Sequence, residues 1–369
     1  MRLVDTLSAQ PFSTLSLGSE FRPSALLAPL LSRHPLWHLF EERVTRGADF
    51  PLRPIPEDER LEDVVATLDR GNHKSARTLE FTLLNMLKDE VSKGWQLPLP
   101  KEVATEIPFC EVAPLGLVPQ LMLREDGSRK EKLRLTHDQS FNACKGMLRS
   151  LNDKVDAEGL TPARFGRTLM RFLHNTCELR RRFPKERLLM TKVDWKSAYR
   201  RIHLQHGTAA KLCTCTARML LVALRITFGG RSNVSQWSDV SEVVTDFAND
   251  LVRRDDWNPA DLKSPHQSLL ASDRAVDFDR GFVHADEPLG VAYLMAVSFP
   301  QDKSTVCPDT NVTWTTFGVG REEYEARLEA AVPLAFHIVG RPVDKAADES
   351  FPGDNLLAMP KFLAEAKAS

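Results

Sequence analysis

Lys192-Val193-Asp194-Trp195-Lys196-Ser197-Ala198-Tyr199-Arg200-Arg201 is the stretch on which the reading of this chain turns. The apolar run at 188–193 predicts a short buried strand, and Asp194 stands at its end, where the chain turns. A carboxylate there is a hard oxygen ligand of the kind divalent cations take. Tyr199 follows five residues on, in a chain with only three tyrosines, placed to press against a sugar ring. Charge around this stretch is uneven. Twelve Lys and Arg residues fall between Arg164 and Arg201 against Glu178, Glu186 and Asp194 alone, a local net charge of +9. The formal net charge of all 369 residues is −1, so the remainder sums to −10. A basic block between acidic flanks is the footprint of a surface that meets phosphates. A solvated helix face laced with ion pairs has the same composition.

Composition narrows the class. At 42% hydrophobic and 27% charged residues, the chain has material for about two domains of roughly 150 residues. Collagen, coiled coil and wholesale disorder are excluded. No apolar run approaches the roughly 20 residues of a membrane helix, and MRLVDTLSAQPFSTL at the start lacks a sustained apolar core of a secretory signal. The expectation is an intracellular protein, cytoplasmic or nuclear, with no membrane partner. Of six cysteines only Cys213 and Cys215 are close. A CxC pair without a second half is a poor zinc site, so the cysteines read as reduced thiols.

The first 60 residues hold seven prolines and predict a poorly ordered leader with one short helix around 36–46. A helix is predicted over 75–93, where Leu79, Leu83, Met86, Leu87 and Val91 fall at helical spacing before Gly94. The run 117–123, the turn dipeptide Asp126-Gly127 and the polar-faced run 130–136 predict a hairpin. Residues 162–182 predict a helix with arginines on one face. A strand at 219–226 precedes the glycine turn Phe228-Gly229-Gly230. A helix at 236–254 aligns Trp237, Val240, Val244, Phe247 and Leu251. Residues 258–288 read as a polar loop, 291–299 and 312–317 as strands, and 321–331 as a helix; the last eleven residues, MPKFLAEAKAS, begin another. Helices and short strands interleave without a strict βαβ rhythm, which makes the fold class α+β.

Taken in order, these segments resemble the reverse transcriptases of retroelements. VAPLGLVPQLMLREDGSRKEKLRLTHDQSFN at 112–142 resembles the fingers hairpin, SLNDKVD at 150–156 the segment after it, KVDWKSAYRRIHL at 192–204 the first catalytic motif, and ALRITFGGRSNVSQWSDVSEVVTDFAND at 223–250 the glycine turn and helix that position template and nascent pair. The resemblance covers roughly 75–360. It implies a right-hand polymerase palm, an antiparallel sheet backed by helices, with fingers and an incomplete or absent thumb. The chain then divides into a Pro-rich leader at 1–70, an N-terminal helix and fingers-like region at 71–160, and a palm-like region at 161–369. It also implies partners and roles: an RNA or DNA primer-template, deoxynucleotide triphosphates where active, and Mg²⁺ or Mn²⁺ held by Asp194. Arg134 is the counterpart of the arginine that grips the triphosphate, with Arg129 or Lys130 for the lysine. Tyr199 is the steric gate against a ribose 2′-hydroxyl. Arg180, Arg181, Arg182, Lys196, Arg200, Arg201, Gly229, Gly230 and Gln236 contact nucleic acid.

The chemistry is a two-metal transfer, which needs two or three carboxylates at one place. The family carries the others on a tight hairpin reading Tyr-x-Asp-Asp, and no such motif occurs here. Asp255-Asp256 abuts the preceding helix, Tyr293–Ala296 keeps a tyrosine without an acid, 311–320 offers a better-placed hairpin without aspartates, and Asp302 and Asp309 fall on expected loops. The expectation is a catalytically impaired polymerase domain; the alternative is a non-catalytic nucleic-acid-binding protein on the same fold.

Overall fold

The structure, a computed structural model, describes residues 20–123, 128–144, 150–161, 177, 180–181, 184–185, 187–194, 197–276, 278, 283–286, 291–298, 306–307, 312–313 and 321–340. Its main helices are α1 (Ser24–Leu31), α2 (Trp37–Thr45), α3 (Glu57–Arg70), α4 (Lys74–Thr78), α5 (Glu80–Ser92), α6 (Leu151–Lys154), α7 (His206–Ala210), α8 (Asn233–Arg253), α9 (Lys263–Ala271) and α10 (Arg321–Val339). The strands are β1 (Gln96–Pro100), β2 (Val112–Ala113), β3 (Leu115–Leu123), β4 (Arg129–His137), β5 (Arg187–Asp194), β6 (Cys213–Cys215), β7 (Met219–Ala223), β8 (Val283–Asp286), β9 (Val291–Ser298), β10 (Val306–Cys307) and β11 (Val312–Thr313). The fold is mixed α and β, and none of the described helices is long and apolar enough to cross a membrane.

Two compact units divide the chain, and they interleave. Among the described residues one comprises 46–161 and 199–236, and the other lies within 20–45, 162–198 and 237–340.

In the first unit a four-stranded sheet runs β1-β7-β6-β2, antiparallel except for the β2–β6 pair. β1 reads Gln-Leu-Pro-Leu-Pro and occupies an edge, where prolines cost no ladder bond. β3 and β4 form the expected hairpin, paired from Leu115–His137 to Leu123–Arg129. The Asp126-Gly127 turn lies outside the described residues. The base of the hairpin closes over Leu83 and Leu87 of α5, with Leu115, Leu117, Leu135, Ala76 and Leu221 in one apolar cluster. The helix expected over 75–93 is two helices broken at Leu79. The first is tied to the hairpin, Ser75 Oγ accepting from the Leu117 amide at 3.1 Å, and the second restarts to aim Leu83 and Leu87 inward.

In the second unit β5, β9 and β8 form an antiparallel sheet in that order, and β10 pairs with β11. α10 packs against β9 and β5. Trp237, Val240, Val244, Phe247 and Leu251 of α8 are all fully buried, as the helical spacing expects.

The leader expectation is corrected from Glu20 onward. Residues 20–70 hold three helices, and Leu27, Leu30, Leu31 and Phe40 are core. Pro29 lies inside α1, and two of the seven prolines are helix starts: Pro23 and Pro56 occupy the N-cap positions of α1 and α3. Their fixed φ suits the residue entering a helix. Glu57, Asp58 and Glu59 then complement the positive end of α3. The polar loop expected over 258–288 contains α9 and β8. Of the strand expected over 312–317, Val312–Thr313 are described and form β11, and α10 runs eight residues past the end expected for it. Of the helix expected over 162–182, only Cys177, Arg180 and Arg181 are described, all helical. The helix expected at the last eleven residues lies outside the described residues.

Candidate functional site

Asp194 closes β5 directly opposite Val291 of β9, and Val291 is opposite Asp286, the last residue of β8. Residues in direct register belong to one face of a pleated sheet. Asp194, Val291 and Asp286 therefore form one row, with the two aspartates two strand spacings apart, roughly 9–10 Å between backbones. The next row on that face is Lys192, Tyr293 and His284. The alternate residues, Val193, Ala292 and Ala285, then Thr191, Leu294 and Val283, make the other face apolar and small. One face is thus titratable at its Asp194 end, and the other has the character of a packing face.

This register corrects the search for the second acid. The sequence leaves Tyr293–Ala296 as a strand without a carboxylate; the structure makes that strand the centre of the sheet and brings Asp286 in from the preceding strand. Asp302, Asp309 and 314–320 lie outside the described residues. Asp255 and Asp256 are structural. Arg254, fully buried, bonds Asp256 at 3.0 Å and Asp250 at 3.1 Å, and Arg274 bonds Asp255 at 2.9 Å. Among the described side chains no group of three or more His, Cys, Asp or Glu could hold a metal ion; the side chains of Asp194 and Asp286 are not among those described. Cys213 and Cys215 are buried on β6, and a hydrogen bond with Cys110 together with burial pushes the Cys213 thiol up, which makes it a poor nucleophile and a poor ligand.

The first unit holds the glycine turn against the base of the hairpin. Gly229 has φ +103°, and a Cβ there would lie 2.1 Å from the His137 carbonyl oxygen. Only glycine fits this conformation and this approach. A Cβ on Gly230 would meet Asn233 Oδ1 at 2.6 Å and Gln139 Oε1 at 2.7 Å. Asn152 locks the turn, its Nδ2 donating to Gly229 O at 2.9 Å while its Oδ1 accepts from the Arg231 amide at 2.7 Å. Gln139 donates to Thr227 Oγ1 at 2.7 Å. Gln139 and Asn152 were missed in the sequence, although both lie in segments that carry the resemblance. Both glycines therefore have a structural reason. Gln236 is buried and donates to the Asp49 carbonyl at 2.7 Å. Tyr199 is buried edge-to-face on Phe228, ring centroids 5.3 Å apart, and burial pushes its phenol up.

The basic residues divide into exposed and buried sets. Arg129, Lys130 and Arg134 are exposed along β4 together with Lys132. Arg180 and Arg181 are exposed, Arg180 donating to the Pro184 carbonyl at 3.3 Å. Arg182 and Lys196 lie outside the described residues. Arg200 and Arg201 are not surface groups: they are 3% and 2% exposed. Arg200 donates to Glu90 at 2.6 Å and to His137 Nε2 at 3.3 Å, and its guanidinium lies over the Trp95 ring. A run of charges along the sequence hides this, because the turn of helix at Ala198–Arg201 faces inward.

Burial also sets the histidines. His137 is held well below its usual range by burial and by Arg200, and His203 is half-buried and lowered to about 4 by burial, then by Arg225 and His206. His266 is likewise lowered to about 4, by burial and Arg22. A histidine neutral in the fold and titrating near 6.5 when unfolded gives stability that is complete above pH 6.5 and is lost as pH falls towards 4. The expected cost at pH 5 is about 2 kcal/mol for His203 alone. Thermal melts at pH 7.5, 6 and 5 check it: the midpoint falls steadily, and His203→Gln flattens the fall.

No protein-family model and no curated protein sequence matches this chain.

Proposed function

We propose that this chain is a reverse-transcriptase-like domain of a retroelement, built on a polymerase palm, that binds an RNA or DNA primer-template and adds deoxynucleotides to it. The observation that carries the reading is the row Asp194–Val291–Asp286. The β8–β9 hairpin reads His284-Ala285-Asp286-Glu287, with an acid where the family's Tyr-x-Asp-Asp has its first aspartate and a second acid after it. It pairs with the strand that ends in Asp194. The three-stranded antiparallel sheet with a helix packed on it supports a palm.

Two carboxylates on one face suit hard divalent cations, so Asp194 and Asp286 are the residues that would hold magnesium or manganese. Bound there, the ions supply charge stabilisation for the attacking and departing oxygens. The remaining work falls to this chain's own groups. By the resemblance, the exposed cations Arg129, Lys130 and Arg134 would attract the triphosphate and Tyr199, packed edge-to-face on Phe228, would be the gate against a ribose 2′-hydroxyl. Histidine and glutamate in place of the family's tyrosine and second aspartate make this hairpin a departure from the pattern, and the rate is correspondingly low.

Salt dependence of binding tests the nucleic-acid half of this reading. A labelled RNA–DNA duplex of 20 base pairs binds with log K falling linearly in log salt, with a slope of about −0.9 per phosphate neutralised. A flat response between 50 and 200 mM salt sinks it.

A further inference from the structure

Lys192 stands two residues before Asp194, on the same face and directly opposite Tyr293, which is opposite His284. Two residues of strand advance the chain by about 6.6 Å. A fixed cation therefore sits one pleat behind a row that carries two carboxylates, with an aromatic residue and an imidazole completing its own row. Further along the face the rows turn apolar: Met190 is opposite Met295, and Leu188 opposite Val297. The charge on this face is confined to its Asp194 end, and Lys192 is its one permanent cation across the rows of β5, β9 and β8.

We propose that the Lys192–Tyr293–His284 row is a subsite for the sugar-phosphate backbone of the strand being extended, with Lys192 taking the phosphodiester nearest the carboxylate row. This rests on the polymerase reading above. The chemistry is that of a phosphate diester next to a sugar: one point charge for the phosphate, which lysine supplies without demanding a fixed geometry, and an aromatic face for the sugar or base. The carboxylates repel the same backbone, so without a cation in the neighbouring row a phosphate would not settle there. The spacing fits a division of labour, one row for divalent cations and the next for the substrate's own charge. A merely structural Lys192, serving as counter-ion to Asp194, has the opposite consequence: its removal leaves duplex affinity unchanged and lowers stability.

The test is binding of a labelled RNA–DNA primer-template to the full chain in EDTA, from 50 to 200 mM salt, for wild type, Lys192→Gln and Lys192→Arg, with thermal melts alongside. The expected result is a three- to ten-fold loss of affinity for K192Q at 100 mM salt and a salt slope shallower by about 0.9, both restored in K192R. Unchanged slope and affinity in K192Q overturn the subsite while the polymerase reading stands. No wild-type binding removes both together. Ultraviolet crosslinking of the wild-type chain to a primer carrying 4-thiothymidine at its 3′ end gives a readout that does not depend on a variant folding. Crosslinked peptides from 187–194, 283–286 or 291–298 support the subsite, and crosslinks confined to other segments overturn it.

Discussion

Asp286→Asn lowers templated nucleotide addition by about 10³-fold, and Asp194→Asn lowers it as far. Both substitutions keep shape and hydrogen-bonding capacity while removing the charge, so the sheet that carries them stays paired. What is lost is the charge that holds a divalent cation. Losing one such electrostatic contribution costs about 3–4 kcal/mol of transition-state stabilisation, which is two to three decades of rate. The measurement is primer extension on a homopolymer RNA template, with Mg²⁺ and with Mn²⁺, comparing wild type, D194N, D286N and Asp302→Asn. Asp302 is the control because it is one of the acids that the sequence itself offers for the site. The register favours Asp286, which among the described residues is the acid placed across Val291 from Asp194. Extension that survives D286N and vanishes in D302N sinks the assignment. A wild-type chain that extends nothing in either metal leaves the non-catalytic binding protein as the reading.

The contrast between Asp194 and Asp286 shows what the sequence carries and what it does not. Asp194 is legible because its strand is eight residues long and carries the apolar residues Leu188, Leu189, Met190 and Val193, the last of which directly precedes the aspartate. β8 is only four residues, Val-His-Ala-Asp, and its alternation is too short and too polar to stand out from the loop around it. Its identity as a strand comes from pairing with β9, which is a long-range fact. The hairpin β3–β4 and the helix α8 are legible for the opposite reason: each is long and strongly periodic, and the inward residues of α8 are all core. Residues 20–70 fail because prolines punctuate both loops and helix starts, and only packing tells which. Burial of charge is the least legible property of all. Arg200, Arg201 and Arg254 look like surface groups in any composition count, yet all three are buried, Arg200 against Glu90 and Arg254 against Asp250 and Asp256.

Arg200→Met unfolds the first unit more readily by about 3–5 kcal/mol and leaves nucleic-acid contacts untouched. Arg200 is 3% exposed, and its partner Glu90 has a side chain only 13% exposed. Methionine fills much of the volume of the arginine stem, so little of the loss comes from a cavity. The cost arises because Glu90 keeps its charge in a place built to neutralise it, and His137 Nε2 loses the donor that it faces at 3.3 Å. Breaking one side of a buried pair is expensive for this reason, whereas replacing both sides is not. The double variant Arg200→Met with Glu90→Leu therefore recovers at least half of the loss. Urea denaturation followed by tryptophan fluorescence measures all three differences, with Trp95 beneath the Arg200 guanidinium as a local reporter. The rival outcome is equally concrete. If Arg200 contacts phosphate, as its place in a block of net charge +9 suggests, R200M keeps its stability within about 0.5 kcal/mol and makes the salt slope of duplex binding shallower by about 0.9. The basic block then acts as one surface. The geometry divides it instead, into exposed cations such as Arg180 and Arg181 and an inward pair at 200–201, of which Arg200 ties Glu90 and His137 together in the first unit.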